Sequence, residues 1–293
     1  MRFRTEIQPI TGLQGNITHD SHIWTIGSCF ADNIGDRMLS EGFDIEVNPL
    51  GTLYNPLSIL NSISNLVSRR IYTPADFFPH EGKYRSFDFH SIFSRATPEA
   101  AAEFVNCRLN ELRNKFSQLS TIILTFGSAR CFRLKTTGLA VANCHKQHPE
   151  IFRIEDLTVD ICVEAISETL SLLRRVCPNL KQAILTVSPI RHKAYGLHAD
   201  KISKATLLLA CEKVRLANPD FIIYFPSYEI MMDDLRDYRF YAADMVHPSE
   251  VAVDYIYEIF SQSFFTTKTA NEAACRLREF RRSLHRPQFS STQ

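Results

Sequence analysis

Ile23-Trp24-Thr25-Ile26-Gly27-Ser28-Cys29-Phe30-Ala31-Asp32-Asn33-Ile34-Gly35-Asp36-Arg37-Met38-Leu39 is the stretch whose reading decides the fold. Its first four residues are apolar or β-branched, as in a buried strand, and the run ends at Gly27. From Phe30 the apolar residues take up a helical rhythm. A strand that turns this sharply into a helix puts Ser28 at the carboxyl edge of a sheet, where open α/β folds place their ligands. It also puts Ser28 at a helix N-terminus, whose free N–H groups stabilise developing negative charge. Those are good surroundings for a nucleophile, and equally for a serine that only caps the helix.

Four more segments read as buried parallel strands: Phe43 to Val47, Thr121 to Phe126, Ala183 to Val187 and Phe221 to Phe225. Each is short, apolar and bounded by glycine, proline or polar residues. Helical patterns fall between them at 56–68, 99–116, 160–176 and 201–217, and another follows at 248–264. Pro56 and the Thr97-Pro98-Glu99 entry suit first helical turns. Alternating strands and helices imply βαβ crossovers and a doubly wound α/β sheet with helices on both faces. Residues 1–264 are expected to form one domain with two insertions. Residues 70–95 are aromatic, polar and aperiodic, too long for an ordinary loop and so expected to be packed. Residues 130–149 read as a hairpin, Arg130 to Leu134 returning as Leu139 to Asn143 across a Lys-Thr-Thr-Gly turn. Residues 265–293 read as a basic helical arm and tail.

Composition narrows the function. The 293 residues carry 33 Lys plus Arg against 32 Asp plus Glu, a net charge of +1. No excess of either sign points to nucleic acid or a membrane surface. The eight cysteines form no C-x-x-C pairs and do not resemble a disulfide framework, so free thiols in the cytoplasm are expected. There is no apolar leader, no run of membrane-spanning length and no zinc-type ligand spacing, so neither metal nor cofactor is expected.

A serine nucleophile needs a base, and the base needs an orienting carboxylate. Asp244-Met245-Val246-His247, after the fifth strand, can supply both. Asn48-Pro49-Leu50-Gly51, after the second strand, offers a glycine N–H for an oxyanion.

With these residues in place, the chain resembles the GSCFA-domain family through Gly27-Ser28-Cys29-Phe30-Ala31. That family is similar to the broader SGNH (GDSL-like) hydrolases. Further matching blocks are Ser86-Phe87-Asp88-Phe89-His90-Ser91, Val141-Ala142-Asn143-Cys144-His145-Lys146, Thr186-Val187-Ser188-Pro189-Ile190-Arg191-His192, Ser203-Lys204-Ala205-Thr206-Leu207 and Asp244-Met245-Val246-His247-Pro248-Ser249. The resemblance runs from Ile23 to Phe260. It implies a flavodoxin-like five-stranded parallel sheet of order 2-1-3-4-5. It also implies Ser28 as nucleophile, Asp244 and His247 as acid and base, and Ser28 and Gly51 as oxyanion donors. The superfamily's Gly-x-Asn-Asp after the third strand is Gly127-Ser128-Ala129 here, so Asn143 or Ser128 is expected to replace the missing Asn.

Asp88, His90, His145, Arg191 and His192 are expected to form a polar substrate rim. Cys29 beside Ser28 raises a cysteine nucleophile as an alternative, but adjacent residues at a sharp turn point in different directions. The superfamily match puts Ser28 in the site, so Cys29 is expected to turn away against the sheet. The expected activity is ester hydrolysis or acyl transfer through a Ser28 acyl-enzyme. A small-molecule polar ester such as an O-acetylated carbohydrate is the expected substrate. The alternative is a catalytically silent module that binds a ligand or glycan.

Overall fold

A computed structural model describes residues 5–284. Its centre is a five-stranded parallel sheet of β1 (His22–Gly27), β2 (Asp44–Val47), β5 (Thr121–Phe126), β8 (Gln182–Val187) and β9 (Ile222–Tyr224). The strands lie in the order β2-β1-β5-β8-β9, which is 2-1-3-4-5 when only these strands are counted. Every residue of β5 and β8 is buried, as strands covered on both faces require.

The alternation of side chains divides the core into two layers. Trp24, Ile26, Ile122 and Leu124 pack against α2 (Pro56–Val67), α3 (Pro98–Asn114), α4 (Val159–Val176) and α5 (Leu197–Ala217). Ile23, Ile45, Ile123 and Ile184 face α1 (Cys29–Ser40) and α7 (Glu250–Phe264). Side-chain caps start these helices where the sequence marks them: Asn55, Thr97, Thr158 and Ser249 each accept a hydrogen bond from an N–H of the first turn.

The corner between β1 and α1 is fixed by close backbone approach. A Cβ on Gly27 would overlap the Thr125 carbonyl, and that carbonyl accepts the Ser28 N–H at 3.0 Å. The sheet therefore needs glycine at 27 for reasons of space.

The 70–95 insertion is packed, with Tyr72, Phe77, Phe89 and Phe93 buried and a short hairpin of β3 (Phe78–His80) and β4 (Lys83–Arg85). The second insertion corrects the sequence reading. Residues 139–141 do return along β6 (Arg130–Leu134), bonded Leu134 N–H to Leu139 O and Val141 N–H to Phe132 O. The regular antiparallel partner of β6 is instead β7 (Phe152–Asp156), in register from Leu134↔Phe152 to Arg130↔Asp156. That pairing brings Asp156 onto Arg130, Glu155 onto Arg133 and the buried Phe152 against Phe132. After β9 the chain passes through α6 (Ser227–Glu229) into a π-helical turn, Ile230–Leu235. The last helix, α8 (Thr267–Leu284), is mostly exposed and docks through Arg276 on the Gly42 carbonyl. Among the described residues no helix is long and apolar enough to cross a membrane.

Candidate active site

The segment before α7 builds a rigid Asp–His pair. Tyr241 bridges to Pro248, and Ala242 N–H bonds to the His247 carbonyl. Asp244 Oδ1 accepts the N–H groups of Val246 and His247 at 2.8 and 3.0 Å. Its Oδ2 lies 2.6 Å from His247 Nδ1. The His247 ring and these two N–H groups hold the Asp244 carboxyl well below the usual carboxylate range. Nδ1 is thereby the donor, which leaves Nε2 as the acceptor pointing away from Asp244.

Facing that nitrogen is Cys29, with Sγ 3.5 Å from His247 Nε2. This corrects the expectation for Ser28, and equally the expectation that Cys29 turns away. The Ser28 side chain is the N-cap of α1. Its Oγ accepts the Phe30 N–H at 3.3 Å, and the residue is 1% exposed. A cap must fold its oxygen back over the helix end, so it cannot also face outward. The next residue, at the first helical position, projects into the open.

Cys29 and His247 lie together in a cleft of about 360 Å³ at the carboxyl edge of the sheet. Segments that follow β1, β2, β5 and β8 all contribute to its wall, as do residues 141–144 of the second insertion. This is where a doubly wound sheet gathers its loops. A family model described as the GSCFA family matches residues 22–260. The chain belongs to the GSCFA family. Among solved structures, it is similar to a carbohydrate esterase family 3 from Talaromyces cellulolyticus. The two are 9% identical, with 87% of this chain and 99% of that chain covered and a TM-score of 0.35. No curated protein matches the chain.

In this GSCFA protein the surroundings of the thiol work against its ionisation. Burial, and then the Asp32 carboxylate, push the Cys29 thiol above its ordinary value. Burial, with Cys29 and Asp32 nearby, also pushes the Tyr54 phenol up to about 12, so it lines the cleft as a neutral donor.

The expected oxyanion donors are distributed differently from the sequence reading. Gly51 lies outside the cleft lining, and its N–H closes a turn onto the Asn48 carbonyl at 2.7 Å. Its positive φ of 81° and the His90 Cβ, 2.5 Å from where a Gly51 Cβ would stand, explain the glycine. Ser128 does line the cleft, but its hydroxyl accepts the Arg130 N–H and meets Ser203 Oγ. Asn143 lines the cleft with its Oδ1 held by the His145 N–H at 2.7 Å, which leaves the amide nitrogen available. Asn55, absent from the sequence reading, is placed the same way. Its Oδ1 caps α2 on the Ser58 N–H at 2.9 Å, and the residue lines the cleft. The Asn55-Pro56 helix start was legible, but it explains the residue so fully that nothing marks a second role.

Two of the five rim residues reach the cleft, Arg191 and His192. Asp88 is instead consumed by Arg70 at 2.8 Å and Tyr72 at 2.9 Å inside the first insertion. His90 packs over Gly51 and caps a short turn on the Ile92 N–H. His145 is buried, with Nε2 on the Ser86 carbonyl at 2.8 Å. Burial, then Lys204, lower His192 to about 4, so its imidazole is neutral at physiological pH. Its buried Nε2 has no protein hydrogen-bond partner.

Beneath the cleft lies a buried lysine that sequence reasoning did not single out as part of the site. Lys204 on α5 is fully buried, and its Nζ donates to the Gly127 carbonyl at 2.6 Å and the Ser188 carbonyl at 2.7 Å. It ties together the exits of β5 and β8, whose continuations carry Ser128 and His192. Asp200, buried one helical turn earlier, accepts the His192 N–H at 3.0 Å.

Proposed function

We propose that the protein is an acyl-transfer enzyme, a hydrolase or acyltransferase, with the Cys29 thiol as its nucleophile. The observation that carries this is the chain of contacts Cys29 Sγ–His247 Nε2 at 3.5 Å and His247 Nδ1–Asp244 Oδ2 at 2.6 Å. It is the nucleophile–base–orienter arrangement of covalent acyl transfer.

In the first half, His247 Nε2 takes the thiol proton as Sγ adds to the substrate carbonyl carbon. The tetrahedral oxyanion is received by the Cys29 N–H, at the free end of α1, and by the side-chain amides of Asn55 and Asn143. The bond to the leaving heteroatom then breaks, and His247 returns the proton to that atom. In the second half, water or an alcohol attacks the Cys29 thioester, again with His247 as base, and the free thiol is restored. Asp244 keeps the imidazole in one tautomer throughout. Because Cys29 keeps its proton at rest, His247 works as a general base rather than as half of a standing ion pair.

The cleft volume of about 360 Å³ suits a small acyl group, and an O-acetylated carbohydrate belongs in the substrate panel. Exposure to an activated acetyl ester, followed by peptide mass spectrometry, tests the reading. The expected result is one acetyl group on the peptide containing Cys29, lost in Cys29→Ala and retained in Ser28→Ala. An unmodified Cys29 in folded protein would overturn it and leave a module that only binds its ligand.

A further inference from the structure

Arg191 lines both the cleft of Cys29 and a second depression, of about 300 Å³, whose walls do not include Cys29. Its walls include Met231, Met232, Tyr238 and Tyr241, and around them stand Arg191, Lys201 and Arg236. The one carboxylate in this lining, Asp237, accepts the Arg239 N–H and lies 4.0 Å from the Arg239 guanidinium. Among the described residues no carboxylate pairs with any of the three cations. Lys201 Nζ donates to the Tyr228 hydroxyl and Arg191 to the Met245 carbonyl, both neutral acceptors. The first cleft is different, for its other guanidinium, Arg130, is neutralised by two bonds to Asp156.

The backbone around this second cleft is also irregular. The π-helical turn Ile230–Leu235 ends on Arg236, a non-glycine residue in the left-handed region at φ 36°. Such turns and such residues cost energy and recur at ligand sites. Arg191 joins this cleft to the reacting centre. Its N–H bonds to the Val246 carbonyl at 3.1 Å, beside His247.

Resting on the acyl-transfer reading above, we propose that the second cleft binds the part of the substrate from which the acyl group departs, and that this part carries an anion on an apolar body. Phosphate and carboxylate share the chemistry that three unpaired cations recognise, and guanidinium groups bind either through paired hydrogen bonds. The methionine and tyrosine walls cover the carbon skeleton. The carbonyl then lies on the Cys29 side of Arg191 and the anion beyond it. When the acyl–heteroatom bond breaks, the leaving group takes its proton from His247 and stays held by its charge.

Calorimetry with phenyl phosphate, benzoate and the neutral benzyl alcohol tests the binding. Phenyl phosphate is expected to bind about tenfold tighter than benzyl alcohol, and Arg236→Gln or Lys201→Gln to remove most of that margin. The benzoate titration tells whether carboxylate is accepted as well as phosphate. Kinetics supplies the second arm, comparing phenyl acetate with acetoxyphenyl phosphate. The phosphorylated ester is expected to show a kcat/KM higher by about tenfold, an advantage that Arg236→Gln abolishes. Equal binding of the charged and neutral probes, or binding indifferent to both substitutions, overturns the proposal. Equal kcat/KM values for the two esters do so too. Calorimetry needs no turnover, so phosphate binding that depends on Arg236 in a protein hydrolysing neither ester would overturn the acyl-transfer reading and not the anion site.

Discussion

The thiol of Cys29 meets His247 Nε2 at 3.5 Å, while its neighbour Ser28 spends its hydroxyl on the Phe30 N–H. On the proposed mechanism two adjacent residues at one turn have separate tasks, one chemical and one structural. Substitutions should separate them. Ser28→Ala should lower stability by about 1 kcal/mol, the usual worth of an N-cap, and leave ester turnover near wild type. Thermal denaturation and a turnover assay on the same preparation check both halves.

Asp244→Asn keeps an oxygen for the N–H groups of Val246 and His247 but offers the imidazole a neutral amide. The tautomer that leaves Nε2 free to take the thiol proton is no longer favoured. A fall in kcat of roughly 10³–10⁴-fold with little change in Tm is expected.

Asn55→Ser retains a capping oxygen for α2 and removes the amide donor. If that amide receives the oxyanion, kcat should fall by about 10²–10³-fold while the helix keeps its cap. Gly51 offers a contrast, because its N–H is already bound to Asn48.

The resting thiol predicts a pH profile. Burial and the Asp32 carboxylate disfavour the anion, so the rate of Cys29 alkylation by iodoacetamide should keep rising with pH, with its inflection above 9.0. An inflection well below that value would mean a standing thiolate–imidazolium pair. Quantifying the Cys29 peptide over a pH series decides between the two.

Lys204→Met should destabilise the fold by a few kcal/mol, since it leaves two buried carbonyl oxygens without donors, each worth about 1–3 kcal/mol. The sign of the pH dependence is also fixed. Burial lowers the Lys204 ammonium from 10.5 to about 7. Below that lower value the amine is charged whether the chain is folded or not, and the fold bears the full penalty of burying it. Between the two values the folded protein has released a proton that the unfolded chain keeps. Stability of the wild type should therefore rise with pH across that window, and the substitution should flatten the rise.

What was legible in the sequence follows from how local the physics is. β1 and β5 are continuous apolar runs ended by glycine, and burial on both faces leaves them little choice of element. Asp244 and His247 are three residues apart, so their pairing needs only a short loop. Which side chain faces His247 was not legible in the same way, because a rotation of one residue at the corner decides between Ser28 and Cys29. At that corner the Ser28 N–H is bonded to the carbonyl of Thr125, a residue from a distant part of the sequence. Gly51 and Asp88 were misread because their partners, Asn48 in one case and Arg70 and Tyr72 in the other, satisfy them outside the cleft. β7 was not legible because Phe152-Arg153-Ile154-Glu155-Asp156 is mostly charged, and its partners, Arg130, Arg133 and Phe132, lie some twenty residues earlier.

The upward push on the Cys29 thiol bears on its expected response to oxidants. Peroxide attacks the thiolate, not the thiol, and a sulfenic acid at this position would end the chemistry. On the proposed mechanism, a thiol that ionises only as His247 takes its proton offers an oxidant little to attack between turnovers. The burial that raises the Cys29 thiol is, on the same proposal, expected to slow its oxidation as well.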